Sequence, residues 1–178
     1  MKKLLLIALV SILAVPVQAG AGVKLKRLGE DPAGDAPAAL DLTYVEAGRN
    51  GDDLEIRIGV EGMTPGTGGY PVLPGIEWLF TTGKRSFLAE AYVDGAQPGF
   101  LLFEILDDSY RQIAEIEGTY NFADGYISML VPLEQIDAKK GTKISGALEE
   151  GDADSHVHLA ARTEYPDYLT TTKPYRIP

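Results

Sequence analysis

The chain has no cysteine. That excludes disulfides, thiol nucleophiles and thiolate metal centres, and with no Cys after the leading apolar run it also excludes lipoprotein attachment. Tryptophan occurs once, at Trp78, and histidine twice, at His156 and His158, so a broad Trp platform and a closed multi-His metal cage both lack their residues. Basic residues are in the minority: 16 Lys+Arg against 26 Asp+Glu give a net charge of −10. Nucleic acid and anionic membrane surfaces repel a chain of that charge. HExxH, a nucleophile elbow and a phosphate-cradling glycine loop are all missing. The adjacent carboxylates Asp107-Asp108 and Glu149-Glu150 would point to opposite faces of a strand. On these grounds the chain is read as non-enzymatic.

Only one long apolar run exists, Leu4 to Val15, broken by Ser11 alone. It follows Lys2 and Lys3, ends at Pro16 and leads to the small-residue site Val17-Gln18-Ala19, which is the layout of a cleaved signal peptide over residues 1–19. The run is shorter than the ~20 residues that span a bilayer as a helix. Export to the periplasm or beyond is the expectation, with no membrane insertion after cleavage. Losing Lys2 and Lys3 from the 16 basic residues moves the net charge from −10 to −12. Residues 20–178 are of ordinary size for one domain with its own core, and neither a repeat nor a low-complexity linker divides them.

What is abundant is turn chemistry and alternation. Twenty Gly and eleven Pro punctuate short segments, as an all-β chain with many turns requires. Leu54-Glu55-Ile56-Arg57-Ile58-Gly59-Val60 alternates aliphatic with charged or Gly, the period of a strand with one buried and one wet face. Asn50-Gly51 suits a turn with positive φ at both central positions, pairing this strand with Leu42–Ala47. Further strands are predicted at Val23–Leu28, Ile76–Thr82, Ser86–Val93, Phe100–Leu106, Tyr110–Ile116, Gly118–Phe122, Tyr126–Val131, Thr142–Leu148 and Val157–Ala161. Ile76, Trp78 and Phe80 share an inward phase, and Phe100–Leu106, apolar on both faces, reads as a strand covered on both sides. Pro132 to Gly141, with Pro in the first turn, a Lys pair and a closing Gly, predicts one short helix. The tail from Tyr165 to Pro178 is expected to cover the core or lie partly loose. The sum is an all-β antiparallel β-sandwich, jelly-roll-like, of roughly ten strands.

Asp31-Pro32-Ala33-Gly34-Asp35 leads to Asp41-Leu42, Gly51 to Ile56 reads GDDLEI, and Val131-Pro132-Leu133 precedes the short helix. Together these resemble the DOMON-like β-sandwich modules of exported bacterial proteins, relatives of the family 9 carbohydrate-binding modules and of the glucodextranase C-terminal module. The resemblance covers most of Leu25 to Gly146 and implies a ligand-binding sandwich, with sugar or haem as ligand and calcium as a structural ion.

Several residues are candidates for sites. Asp31, Asp35 and Asp41 supply oxygen ligands that suit calcium, although Asp beside Pro and Gly also simply starts turns. Asp152, Asp154, His156 and His158 fall on alternate positions, which would put them on one face of an extended segment. Zn²⁺ or Cu²⁺ is one reading of them, and a polar face at a sheet edge is the preferred one. The haem reading would draw Met63 and one histidine as axial ligands, against Met63 merely packing on the core. For a sugar, Tyr70, in the Gly/Pro-rich loop Glu61 to Gly75, and Tyr92, on the polar phase of its strand, are the rings best placed to stack. Trp78 is expected in the core. The function expected is a non-catalytic binding module with a carbohydrate or protein partner; the other reading is a structural or surface-interaction scaffold without a small ligand. A cleft with exposed Tyr near Glu61–Gly75 favours the first, and a flat polar surface the second.

Overall fold

The computed structural model describes residues 22–34, 41–65, 76–94, 97–107, 109–146, 155–159, 168–171 and 174–178. Residues 1–19, read above as a signal peptide, and Asp35, Tyr70, Asp152 and Asp154 lie outside them. Among the described residues thirteen strands run in chain order: β1 (Lys26–Glu30), β2 (Leu42–Asn50), β3 (Asp53–Val60), β4 (Ile76–Thr82), β5 (Arg85–Asp94), β6 (Gln97–Leu106), β7 (Ser109–Glu115), β8 (Glu117–Asn121), β9 (Tyr126–Pro132), β10 (Lys143–Gly146), β11 (Ser155–Leu159), β12 (Tyr168–Thr171) and β13 (Tyr175–Arg176). They form two antiparallel sheets. The five-stranded one has the order β1-β2-β3-β9-β8; the eight-stranded one has β12-β11-β4-β5-β6-β7, with β10 joining β4 to β13. This is an all-β arrangement consistent with a β-sandwich.

Alternation explains how the sheets meet. From the five-stranded sheet Leu54, Ile56, Ile58, Ile127, Met129 and Val131 are fully buried, and from the eight-stranded sheet Ile76, Trp78, Phe80, Phe87, Ala89, Ala91 and Leu102 join the same core. Trp78 stacks on Phe80 at 4.6 Å between ring centroids, and Phe80 on Phe87 at 5.5 Å, so the predicted inward phase of β4 is the centre of the core. Tyr175 and Ile177 are buried as well, and Ile177 bonds back to Thr142 (N–O 3.0 Å), so this end of the tail completes the core.

Two local expectations are corrected. The β2–β3 turn sits one residue later than Asn50-Gly51: Asn50 pairs with Asp53, and Gly51-Asp52 are the central residues. Gly51 has φ +62° and Asp52 is not left-handed, so the turn needs Gly only at its first central position, as in type II′. The second correction concerns Pro132 to Gly141, where no α-helix forms. A single turn closes at once: the Ala138 N–H donates to Leu133 O (2.8 Å), the Asp137 N–H donates to Glu134 O (3.2 Å), and Asp137 has φ +51°. That bond pair around a left-handed residue is the Schellman stop, here applied after one turn. Leu133 and Ile136 are both buried, and the Thr82 hydroxyl donates to Ile136 O at 2.7 Å, taking the carbonyl that a longer helix would need. Because Asp tolerates the left-handed region less well than Gly, Asp137→Gly is expected to stabilise the protein by about 0.5 kcal/mol, read from the urea midpoint.

Strand β6 also differs from its reading as a strand covered on both faces. Leu102 is buried on the inner side, but Leu101, Phe103 and Ile105 are half-buried on the outer side. There Leu79, Leu88 and Phe103 stand in register on three neighbouring strands and shade one another, which leaves Leu88 only 6 % exposed.

Candidate functional site

The outward phase of β3 builds the most organised polar surface among the described residues. Leu54, Ile56 and Ile58 point inward, which sends Glu55, Arg57 and Gly59 to the outer face of the five-stranded sheet. Register then sets their neighbours. Gly48, Glu55, Leu130 and Glu117 form one row across the strands; Glu46, Arg57, Ser128 and Thr119 form the next; Tyr44, Gly59, Tyr126 and Asn121 form the third.

Glu55 is the anchor of this face. Its side chain is almost wholly removed from solvent although it lies on the outer side of the sheet, and three donors hold it. Arg57 Nε donates to Oε1 at 2.7 Å, Ser128 Oγ to the same oxygen at 3.4 Å, and Asn50 Nδ2 to Oε2 at 3.0 Å. The carboxylate, in turn, holds the Arg57 guanidinium above its usual range despite the burial that opposes it. Arg57 lies over the Tyr126 ring at 4.8 Å, and Arg27 over Tyr44 at 3.9 Å while bonding Glu46 at 3.0 Å. Gly59 is required between these rings, because a Cβ there would run into Tyr44. Beside Glu55 a cavity of about 220 Å³ opens, lined by Asn50, Glu55, Glu117, Gly118, Thr119, Ser128 and Leu130. A wider depression of about 550 Å³ lies at the end of the same sheet, where Asp52, Asp53 and Glu134 face Arg49, Lys139 and Lys140. Burial raises the Asp53 carboxyl above its ordinary pKa, and the charges of Glu117 and Asp52 raise it further.

Chemically, this face offers fixed acceptors and donors around one apolar side chain, Leu130. It can satisfy hydroxyl groups of a small ligand in a defined orientation. Sequence reasoning passed over Asn50, Glu55, Thr119 and Ser128. The wet face of β3 is legible in its alternation, but the register that brings Ser128 of β9 beside it is not.

The predicted residues lie elsewhere. Tyr92 is half-buried on β5 in the other sheet, opposite Gly99, where a Cβ would collide with its ring. Its carbonyl accepts the Tyr120 hydroxyl at 3.1 Å. Burial drives the Tyr120 phenol well above its ordinary pKa, with Glu90 and Tyr92 adding to the shift. Tyr92 and the Glu55 surface are therefore not brought together. Met63 is 5 % exposed and packs in the core. His156 and His158 lie on β11, with the His158 backbone opposite Glu77. Asp31 and Asp41 flank the turn at Gly34, whose N–H donates to Asp41 Oδ2 at 2.5 Å.

Glu77 in turn pairs across the strands with Glu90, whose carboxyl is raised above its ordinary pKa first by burial and then by the Glu77 charge. A carboxyl raised in the folded state binds its proton more tightly there than in the unfolded chain. Its contribution is thus fully present below the unfolded pKa and is lost as pH rises through the folded one. Glu90→Gln is accordingly expected to stabilise the protein by about 0.5 kcal/mol at pH 7 and by nothing near pH 4, compared by thermal melts at the two pH values.

Compared with protein-family models, with curated proteins and with solved structures, the chain matches none.

Proposed function

We propose that this protein is an exported binding module that acts without catalysis and takes a carbohydrate on the outer face of its five-stranded sheet. The observation that carries this reading is the tethering of Glu55, a carboxylate held by Asn50, Arg57 and Ser128 at the wall of an open polar cavity. A carboxylate held this firmly on the outer side of a sheet keeps the polar groups around it in one arrangement and so pre-orients a hydrogen-bonding site. Thr119 and Glu117, both exposed beside it, supply a hydroxyl and a second carboxylate. A signal-peptide-like leader supports export. The turn pattern that resembles DOMON-like and family 9 carbohydrate-binding modules supports the ligand class.

The test is calorimetry of the mature protein against neutral oligosaccharides of the cellulose, xylan and starch types. Binding to one of them, weakened roughly five- to tenfold by Thr119→Ala or Glu117→Gln, is the expected result, as for the loss of one hydrogen bond. Absence of heat with every oligosaccharide would overturn the reading. The second reading, a scaffold with no small ligand, is favoured by the shallowness of the cavity and by the arginines that already cap Tyr44 and Tyr126. It predicts the absence of heat.

A further inference from the structure

We propose that the depression at the end of the five-stranded sheet binds a small zwitterion of the amino-acid class, a free amino acid or a short peptide with unblocked termini. Its volume of about 550 Å³ falls within the ~300–1,000 Å³ common to small-molecule sites. Two pairs of like charge border it. Asp52 and Asp53 stand where the β2–β3 turn enters β3, and Lys139 and Lys140 follow the single turn after β9. Arg49 and Glu134 add one charge of each sign.

These charges do not cancel one another. Elsewhere Arg27, Arg57, Arg85 and Arg111 each close an ion pair with a glutamate. Among the described residues no Asp or Glu makes an ion pair with Arg49, Lys139 or Lys140, although three carboxylates line the same depression. Arg49 donates instead to Gly51 O at 2.9 Å and to Pro178 O at 3.4 Å. Main-chain bonds fix the segments from which the two pairs project. The Leu133 N–H donates to Asp52 O at 2.9 Å, the Thr142 N–H to Lys139 O at 2.9 Å and the Gly141 N–H to Ile177 O at 2.8 Å. Lys139 and Lys140 repel a simple cation, and Asp52 and Asp53 repel a simple anion. A molecule with an ammonium at one end and a carboxylate at the other matches both pairs, its ammonium on the aspartates and its carboxylate on the lysines. Asp53 suits that role, because burial, then the charges of Glu117 and Asp52, raise its carboxyl above its ordinary pKa, the mark of a carboxylate short of a cation. Pro132, Leu133 and Ala138 supply apolar lining for the carbon skeleton between the two charges. This site goes beyond the sugar reading: it shares no lining residue with the cavity beside Glu55, so either can fail alone.

The experiment titrates the purified full chain calorimetrically with a panel of free amino acids and with tripeptides, each supplied free, N-acetylated or C-amidated. Binding of at least one free form is expected, weakened about tenfold or more by blocking either end, as for the loss of a hydrogen bond to a charged group. Amino acids binding as tightly as tripeptides would name the single residue as ligand; tripeptides alone binding would name the peptide. Lys139→Gln with Lys140→Gln should weaken the free ligand to the level of its C-amide and make amidation immaterial. Asp52→Asn with Asp53→Asn should do the same for N-acetylation. No heat with any free form overturns the proposal, and so does equal affinity for free and blocked forms. A lysine double variant that still prefers the free carboxylate overturns it as well. Should that variant fail to fold, the aspartate pair decides: an unchanged preference for the free ammonium there also overturns the site.

Discussion

Trp78→Ala is expected to remove about 3 to 5 kcal/mol of stability, the range for deleting a large aromatic from a core. Trp78 is 1 % exposed and stacks on Phe80, which itself stacks on Phe87, so the lost ring leaves a void that neighbours locked in register cannot fill. Against a typical total of about 5 to 15 kcal/mol, that is enough to leave the domain marginal at 37 °C. The indole is also informative in a second way. Its Nε1 is buried and has no hydrogen-bond partner, so the N–H contributes nothing that phenylalanine would forfeit. Trp78→Phe should therefore cost no more than about 1.5 kcal/mol. Urea unfolding followed by far-UV circular dichroism measures both, because the tryptophan emission is lost with Trp78. Near-equal losses for Ala and Phe would mean that the N–H, and not the ring, holds the site.

The second large effect belongs to Glu55. Glu55→Ala is expected to cost about 2 to 3 kcal/mol, somewhat below the range for breaking a fully buried pair because the Arg57 side chain is 31 % exposed and water can partly replace its partner. Asn50 and Ser128 lose their acceptor at the same time. Glu55→Gln keeps the shape and an acceptor oxygen but not the charge, and about half that loss is expected, read from the same urea curves. If both variants were as stable as the parent, the network would be a surface ornament and the reason for proposing a binding face would go with it.

How far the residues themselves announced this molecule varies along the chain. In β3, β4 and β5 the alternation named the strand, its inner face and Trp78's place in the core, because a period of two is a local property of adjacent residues. The segment after β9 shows the opposite case. Pro132, the Lys139-Lys140 pair and Gly141 are end-signals, and they read alike whether they bound three turns or one; only Asp137's left-handed backbone and Thr82's hold on Ile136 O decide it. Asn50-Gly51 misplaced a turn by one residue because Gly51 can serve either central position, and cross-strand pairing chooses. The Glu55 cluster could not be read at all. Ser128 and Glu55 are neighbours only through the pairing of Arg57 with Ser128 and of Glu55 with Leu130, and nothing in either segment encodes the other's register.

That pairing also bears on how the chain reaches its native state. β3 has its hairpin partner β2 close by, but its other edge waits for β9, about seventy residues downstream, so the middle of the five-stranded sheet closes by a long loop whose ordering must precede its reward. The hairpins β4–β5, β5–β6 and β6–β7 lie within that interval and each needs only adjacent residues. Assembly should then run from the meander outward, with insertion of β9 beside β3 as the slow event, on the millisecond-to-second scale common to all-β domains.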